Sequence, residues 1–158
     1  LGSLFDGSTV KKSVKTIKWP GRLEKIKNKN MYYDVAHNVE GISAMIKTIS
    51  NSHADKKVVG LFSLKSDKNI IPICNVIKNN FEIIILCHDK SGYLTRTTVL
   101  EKILNENNIK CFSVSSVKKG VEALEKYNDD YVKIIFGSHY IAEEVYNATG
   151  KHFDTTNN

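Results

Sequence analysis

Three short polar segments of this 158-residue chain carry the residue types that ligand chemistry needs, and each follows an apolar run. The first is Asp34-Val35-Ala36-His37-Asn38. Its carboxylate stands where ribose hydroxyls could donate to it, with an imidazole and an amide just beyond. The second is Ser63-Leu64-Lys65-Ser66-Asp67-Lys68-Asn69. Two ammonium groups, two hydroxyls and a following helix suit a carboxylate or a phosphate. The third is Phe136-Gly137-Ser138-His139-Tyr140. There a glycine lets the backbone approach closely, and a hydroxyl beside the free amides of a helix start would form an anion nest. Each segment also has a plainer reading: an Asx-type cap with a surface histidine, a solvated loop, and a serine that only caps a helix.

The surrounding pattern decides where such segments would sit. Leu23–Ile26 and Met31–Val35 are short strand candidates around an Asn/Lys turn. Ile42, Met45, Ile46 and Ile49 recur at helical spacing after Asn38, a good N-cap. Val58–Phe62, Ile83–Cys87, Cys111–Val114 and Tyr131–Phe136 read as further strands. The helical patterns between and after them are Ile70-Ile73-Val76-Ile77, with Pro72 tolerated in its first turn, Val99-Leu100-Ile103-Leu104 capped by Thr97 or Thr98, Val117-Val121-Leu124, and Ile141-Val145-Ala148. Strands alternating with helices of about ten residues imply βαβ crossovers and a mainly parallel sheet. Near-continuous apolar strands imply that both faces are covered. The expectation is one three-layer, Rossmann-like α/β domain, to which the first two strands could add an antiparallel edge. In such sheets ligands bind beyond the carboxyl ends of the strands, which is where all three polar segments fall.

Composition narrows the classes. The chain is 41% hydrophobic and 25% charged, ordinary for a globular protein. No apolar run nears the roughly 20 residues that span a bilayer. The start has no basic, then apolar, signal-peptide pattern, and the first residue is not methionine, which reads as a fragment or a processed chain. A net charge of +6 suits an anionic ligand. The lysines are scattered and lack interleaved stacking aromatics, which argues against a nucleic-acid face. Cys74, Cys87 and Cys111 form no CxxC pair, so no disulfide framework or zinc site is expected, and Cys87 reads as a buried inert thiol in a reducing cytosol. His53, His88 and His152 lack ligand spacing and read as surface residues. The Asn147-Ala148-Thr149 sequon has no secretion signal to give it meaning. There is no GxGxxG, no P-loop and no GxSxG elbow.

Trp19-Pro20-Gly21-Arg22-Leu23-Glu24, followed by Asp34-Val35-Ala36-His37-Asn38, resembles the folylpolyglutamate/dihydrofolate synthase family, whose usual text is close to W-P-G-R-L-E and then D-G-A-H-N-P. Ser66-Asp67-Lys68-Asn69 stands where that family tends to have a D-K-D-like loop, and Gly137-Ser138 where it has a G-S turn. The four features fall in order over roughly residues 17 to 148. The departures are Val35 for glycine, Val39 for proline and Asn69 for an acidic residue. The related cell-wall Mur ligases share the domain but usually show histidine or threonine with proline after the equivalent of His37, so His37-Asn38 favours the folate branch.

The resemblance implies the C-terminal domain of an ATP-dependent ligase that adds glutamate to a folate through an acyl phosphate. Residues 19–150 would be that domain, 1–18 a lead-in and 151–158 a tail. A preceding P-loop ATPase domain of the same polypeptide would hold magnesium and most of the pterin pocket, so this stretch alone would fold without turning over. ATP, L-glutamate and a folate or dihydropteroate are the implied ligands, in a cytoplasmic monomer with no nucleic-acid or membrane partner. Arg22 would meet phosphate oxygens as a catalytic and nucleotide-binding residue. Asp34 would hold the nucleotide at the ribose, and His37 would act near glutamate or the phosphates. Ser138 would hold the glutamate carboxylate, Lys68 would pair with a carboxylate or phosphate, and Trp19 would pack the linker. No metal ligand is expected in this domain. The alternatives are a cell-wall Mur ligase C-terminal domain and a stand-alone ligand-binding α/β module.

Overall fold

The structure is a computed structural model and describes residues 20–26 and 30–150. Trp19, the lead-in 1–18, Lys27-Asn28-Lys29 of the first turn, His152 and the tail 151–158 lie outside the described residues. Six strands form one sheet: β1 (Glu24–Ile26), β2 (Met31–Asp34), β3 (Lys57–Phe62), β4 (Ile83–Cys87), β5 (Cys111–Val114) and β6 (Tyr131–Phe136). Their order is β1-β2-β6-β3-β4-β5, so the last strand inserts between the second and third. Every neighbouring pair is parallel except β1 with β2, the expected antiparallel edge.

Among the described residues, five helices cover the two faces: α1 (Val39–Ser52), α2 (Ile71–Lys78), α3 (Thr97–Glu106), α4 (Val117–Glu125) and α5 (Ala142–Thr149). The apolar stripes expected from spacing point inward. Ile42, Met45, Ile46 and Ile49 of α1 join α2, α3, Phe62, Ile84 and Phe136 in one core. Val117, Val121 and Leu124 of α4 join Val145 of α5, Leu61, Ile85 and Ile135 in the other. Consecutive residues of β6 thus feed opposite cores, Phe136 one and Ile135 the other, as the period of two requires. That is why its sequence is apolar throughout.

The order creates a switch point. The helix after β2 and the helix after β3 pack on one face, while the helix after β6, which lies between them, packs on the other. The chain therefore parts in opposite directions at the carboxyl ends of β2 and β6, the kind of switch point at which open sheets bind ligands.

Local details amend the expectations. Asn38 caps α1 as expected, its Oδ1 accepting from Gly41 N at 2.9 Å. Neither Thr97 nor Thr98 caps α3; Arg96 occupies the N-cap with extended ψ and makes no side-chain cap bond. β1 begins at Glu24 rather than Leu23, because Leu23 has φ +42° and cannot continue a strand. β2 ends at Asp34 rather than Val35, because the Val35 N–H turns away to the Gly21 carbonyl at 2.8 Å.

Candidate functional site

Register fixes which loops meet. Asp34 pairs with Phe136, and Phe136 with Phe62, so the ends of β2, β6 and β3 stand side by side. The three polar segments begin directly beyond them. Residues far apart in sequence are thus gathered along one carboxyl edge, with Gly137-Ser138 in the middle.

Residues 20–24 build a corner with Asp34-Val35-Ala36-His37-Asn38. Antiparallel pairing of Glu24 with Tyr33 carries residues 20–23 past the end of β2, alongside Asp34-Val35. Gly21 takes φ +70°, and a Cβ there would lie 2.7 Å from Val35 Cγ1, so glycine serves both the turn and the contact. Leu23, a bulky residue at positive φ, costs on the order of 1–3 kcal/mol. Its N–H is held by Asp34 Oδ2 at 2.8 Å, which offsets part of that cost. Asp34 Oδ1 accepts from Ala36 N at 2.7 Å. Asp34 is 5% exposed. Burial pushes its carboxyl above the usual carboxylate range, while the Ala36 and Leu23 amides and the positive charge of Arg22 pull it back. Asp34 is therefore first a structural clamp on the Arg22 turn. Each oxygen accepts one backbone bond and keeps a second lone pair for a ligand. Arg22 itself is exposed at the tip of the turn.

His37 is half-buried, with Nδ1 2.9 Å from the Val35 carbonyl oxygen. A carbonyl only accepts, so Nδ1 donates, and Nε2 carries the lone pair of the neutral ring. In the third segment Gly137 has φ +103°, and a Cβ would lie 2.0 Å from the Ser63 carbonyl oxygen. Ser138 is 3% exposed, and its Oγ accepts from Tyr140 N at 3.1 Å. It is not the cap of α5: that helix starts at Ala142, with Ile141 at its N-cap. Ser138 closes a separate turn ahead of the helix, so both readings of it as part of the helix start are amended.

The second segment is tied sideways. Ser66 N donates to Tyr93 O at 3.0 Å and Thr95 N to Leu64 O at 2.8 Å, joining the β3–α2 loop to the β4–α3 loop. Lys65 pairs with Asp67 at 2.8 Å. Lys68 is exposed on the same loop. Asn69 Oδ1 accepts from Ile71 N at 3.1 Å, giving α2 a local start. The edge thus brings Arg22, Asp34, His37, Ser138 and Lys68 onto one side of the sheet, with Lys68 outermost from the corner, one strand beyond β6. Among the described residues, no group of three or more His, Cys, Asp or Glu could hold a metal ion, and no helix is long and apolar enough to cross a membrane.

Three features were not singled out from sequence. Tyr33 Oη donates to Ser138 O at 2.9 Å, and Tyr146 Oη to Glu24 Oε2 at 2.6 Å. Tyr93, exposed at the edge, stacks on Tyr140 with centroids 5.0 Å apart. The only local hint was a tyrosine at an inward strand position, which must find a partner for its hydroxyl. The remaining histidines are mixed: His88 is exposed, whereas His53 is half-buried, with Nε2 2.9 Å from Tyr32 Oη. Cys87 is buried as expected, and burial raises its thiol to about 12.

An open, mainly parallel sheet whose strand order reverses beside a clamped arginine turn and a glycine-serine turn defines a doubly wound α/β domain. The model for the Mur ligase glutamate ligase domain matches residues 21–139, and the chain belongs to that family. It is 29% identical over 132 residues to the dihydrofolate synthase/folylpolyglutamate synthase of Bacillus subtilis, covering 80% of this chain and 30% of that protein. It is 29% identical over 88 residues to the Mycobacterium tuberculosis protein of the same name, covering 55% and 18%. Among solved structures, M. tuberculosis folylpolyglutamate synthase complexed with ADP superposes with a TM-score of 0.81 at 21% identity, covering 94% of this chain and 36% of that one. E. coli FolC in complex with DHPP and ADP gives 0.78 at 18%, covering 95% and 36%. The fold is therefore that of these enzymes' domain, and the chain spans about a third or less of their length.

Proposed function

We propose that this chain is the C-terminal domain of an ATP-dependent ligase that joins glutamate to a folate through an acyl phosphate. Residues 19–150 form the domain, 1–18 lead into it from a P-loop domain of the same polypeptide, and 151–158 are a tail. The observation that carries the reading is the corner built by residues 20–24 and 34–38. It sets an exposed arginine across the end of β2 from the Ser138 turn, at the edge where open sheets bind ligands.

In this reading Arg22 meets the phosphate oxygens of ATP, which suits a permanently charged, bidentate donor. Phosphoryl transfer is governed by positioning and charge neutralisation, and a cation on a clamped turn supplies both. Asp34 holds that turn and spends its remaining lone pairs on the ribose. Magnesium would be held mainly by the other domain. The Ser138 turn takes the glutamate carboxylate, with Lys68 as a further cation for carboxylate or phosphate. His37 presents the Nε2 lone pair near the glutamate amine or the phosphates. Three unpaired cysteines, two of them buried, suit a reducing cytoplasm.

The test is product formation by the full-length protein. Given ATP, glutamate and a dihydropteroate or reduced folate, the expected product carries one added glutamyl unit by mass spectrometry. Amide formation only on a cell-wall precursor would transfer the protein to the other branch of the family. Ligand binding with no ATP-dependent product would leave a non-catalytic module.

A further inference from the structure

The two turns that carry Arg22 and Ser138 come from opposite ends of the described chain, and no strand pairing joins them directly, since β2 lies between β1 and β6. What joins them is a set of side chains on the α5 face. Tyr33, in β2, donates its hydroxyl to the Ser138 carbonyl oxygen at 2.9 Å. Tyr146, in α5, donates to Glu24 Oε2 at 2.6 Å. The same Glu24 oxygen accepts the Gly21 N–H at 3.0 Å, one residue before Arg22. The two rings meet edge-on, with centroids 5.9 Å apart and planes at 90°. Tyr33 is 1% and Tyr146 6% exposed.

The chemistry of each group suits holding rather than reacting. Burial, followed by the nearby Tyr146, Glu24 and Asp34, pushes the Tyr33 phenol well above its usual range. Burial and the bond to Glu24 do the same for Tyr146. Both phenols therefore stay protonated and keep donating. Glu24 receives a phenol at 2.6 Å and an amide at 3.0 Å on one carboxylate oxygen, and the phenol bond has the short length of a charge-assisted bond.

We propose that Glu24, Tyr33 and Tyr146 are positioning residues that fix the Arg22 turn and the Ser138 turn in one register, so that the phosphate-facing and glutamate-facing sides of the site move as a unit. This rests on the reading of Arg22 and Ser138 as ligand contacts, but it adds three residues that touch no ligand. Sub-ångström alignment is what such a network would protect, because small misplacements of a positioning group cost large factors in rate.

Tyr-to-Phe variants of the full-length enzyme test it, since each removes one oxygen and keeps the ring packing. Tyr33→Phe, whose bond goes to the Ser138 turn, should raise KM for glutamate about three- to tenfold with kcat close to wild type. Tyr146→Phe, whose bond goes to the Arg22 turn through Glu24, should lower kcat by a similar factor with little change in glutamate KM. Glu24→Gln, which keeps an accepting oxygen, should retain more activity than Glu24→Ala. A readout independent of catalysis is amide exchange: the Gly21 N–H should exchange faster in Tyr146→Phe than in wild type. Wild-type kinetics in both tyrosine variants, or equal loss of kcat in both that tracks lost folding, would overturn the proposal. Wild-type enzyme without ligase product would instead sink the proposed function. Gly21 exchange would then still decide whether Tyr146 and Glu24 hold the turn, and unchanged exchange would count against it.

Discussion

Arg22 is exposed and its backbone is clamped, so replacing it should change chemistry more than stability. A hydrogen bond to a charged group is worth about 1.5–3 kcal/mol, which corresponds to about a tenfold or larger loss of rate. Arg22→Ala in the full-length enzyme should therefore lower kcat at least about tenfold, with a melting temperature near that of wild type. His53 gives a second prediction at this scale. Burial, then Lys56 and Lys25, lower its folded pKa below the usual 6.5. A base with a depressed folded pKa contributes stability that is present above pH 6.5 and is lost as pH falls through the folded value. Melting temperatures from pH 8 down to 5 should fall more for wild type than for His53→Gln. Equal slopes would count against the burial of His53 beside Lys56 and Lys25. The residues of the corner were legible because they stand in contiguous text: Arg22, Asp34 and His37 in two motifs, and Ser138 beside its glycine. Tyr33 and Tyr146 were not, because their partners lie 105 and 122 residues away in sequence, and no local spacing encodes such a meeting.

Elements explain why the site residues converge. The alternation of apolar runs with helical stripes identified the six strands and five helices of the described residues, because burial on two faces leaves a period that a sequence displays. Strand order was not displayed. That β6 lies between β2 and β3 depends on which edge the last crossover returns to, a long-range choice made by packing. The ends were also read less well than the middles. Leu23 left the first strand because its φ of +42° cannot continue one, and α5 began later than Ser138 because the serine closes a turn of its own. The Gly137 turn is where this scale is most exposed to test. Alanine there needs φ +103° and places a Cβ 2.0 Å from backbone. Gly137→Ala should cost about 2 kcal/mol or more by chemical denaturation. A loss under about half that would mean the turn adapts and the β3–β6 junction is softer than its geometry implies.

In the proposed function this chain supplies one part of a site shared with another domain. Its sheet has a complete two-sided core, yet the charged edge it presents contains no phosphate-binding loop, and the chain covers 30% of the B. subtilis relative and 36% of the M. tuberculosis structure. The chain alone should therefore melt cooperatively and release no ADP from ATP. Release of ADP by the isolated chain at rates that depend on glutamate and folate would contradict the division of labour proposed here.

The measurement closest to the central claim is steady-state ADP release by the full-length enzyme with glutamate as the varied substrate, comparing wild type with Arg22→Ala and Ser138→Ala. Arg22→Ala should lose kcat, whereas Ser138→Ala should mainly raise KM for glutamate. Wild-type values of both constants in both variants would show that the carboxyl edge of this sheet is not where ATP and glutamate meet.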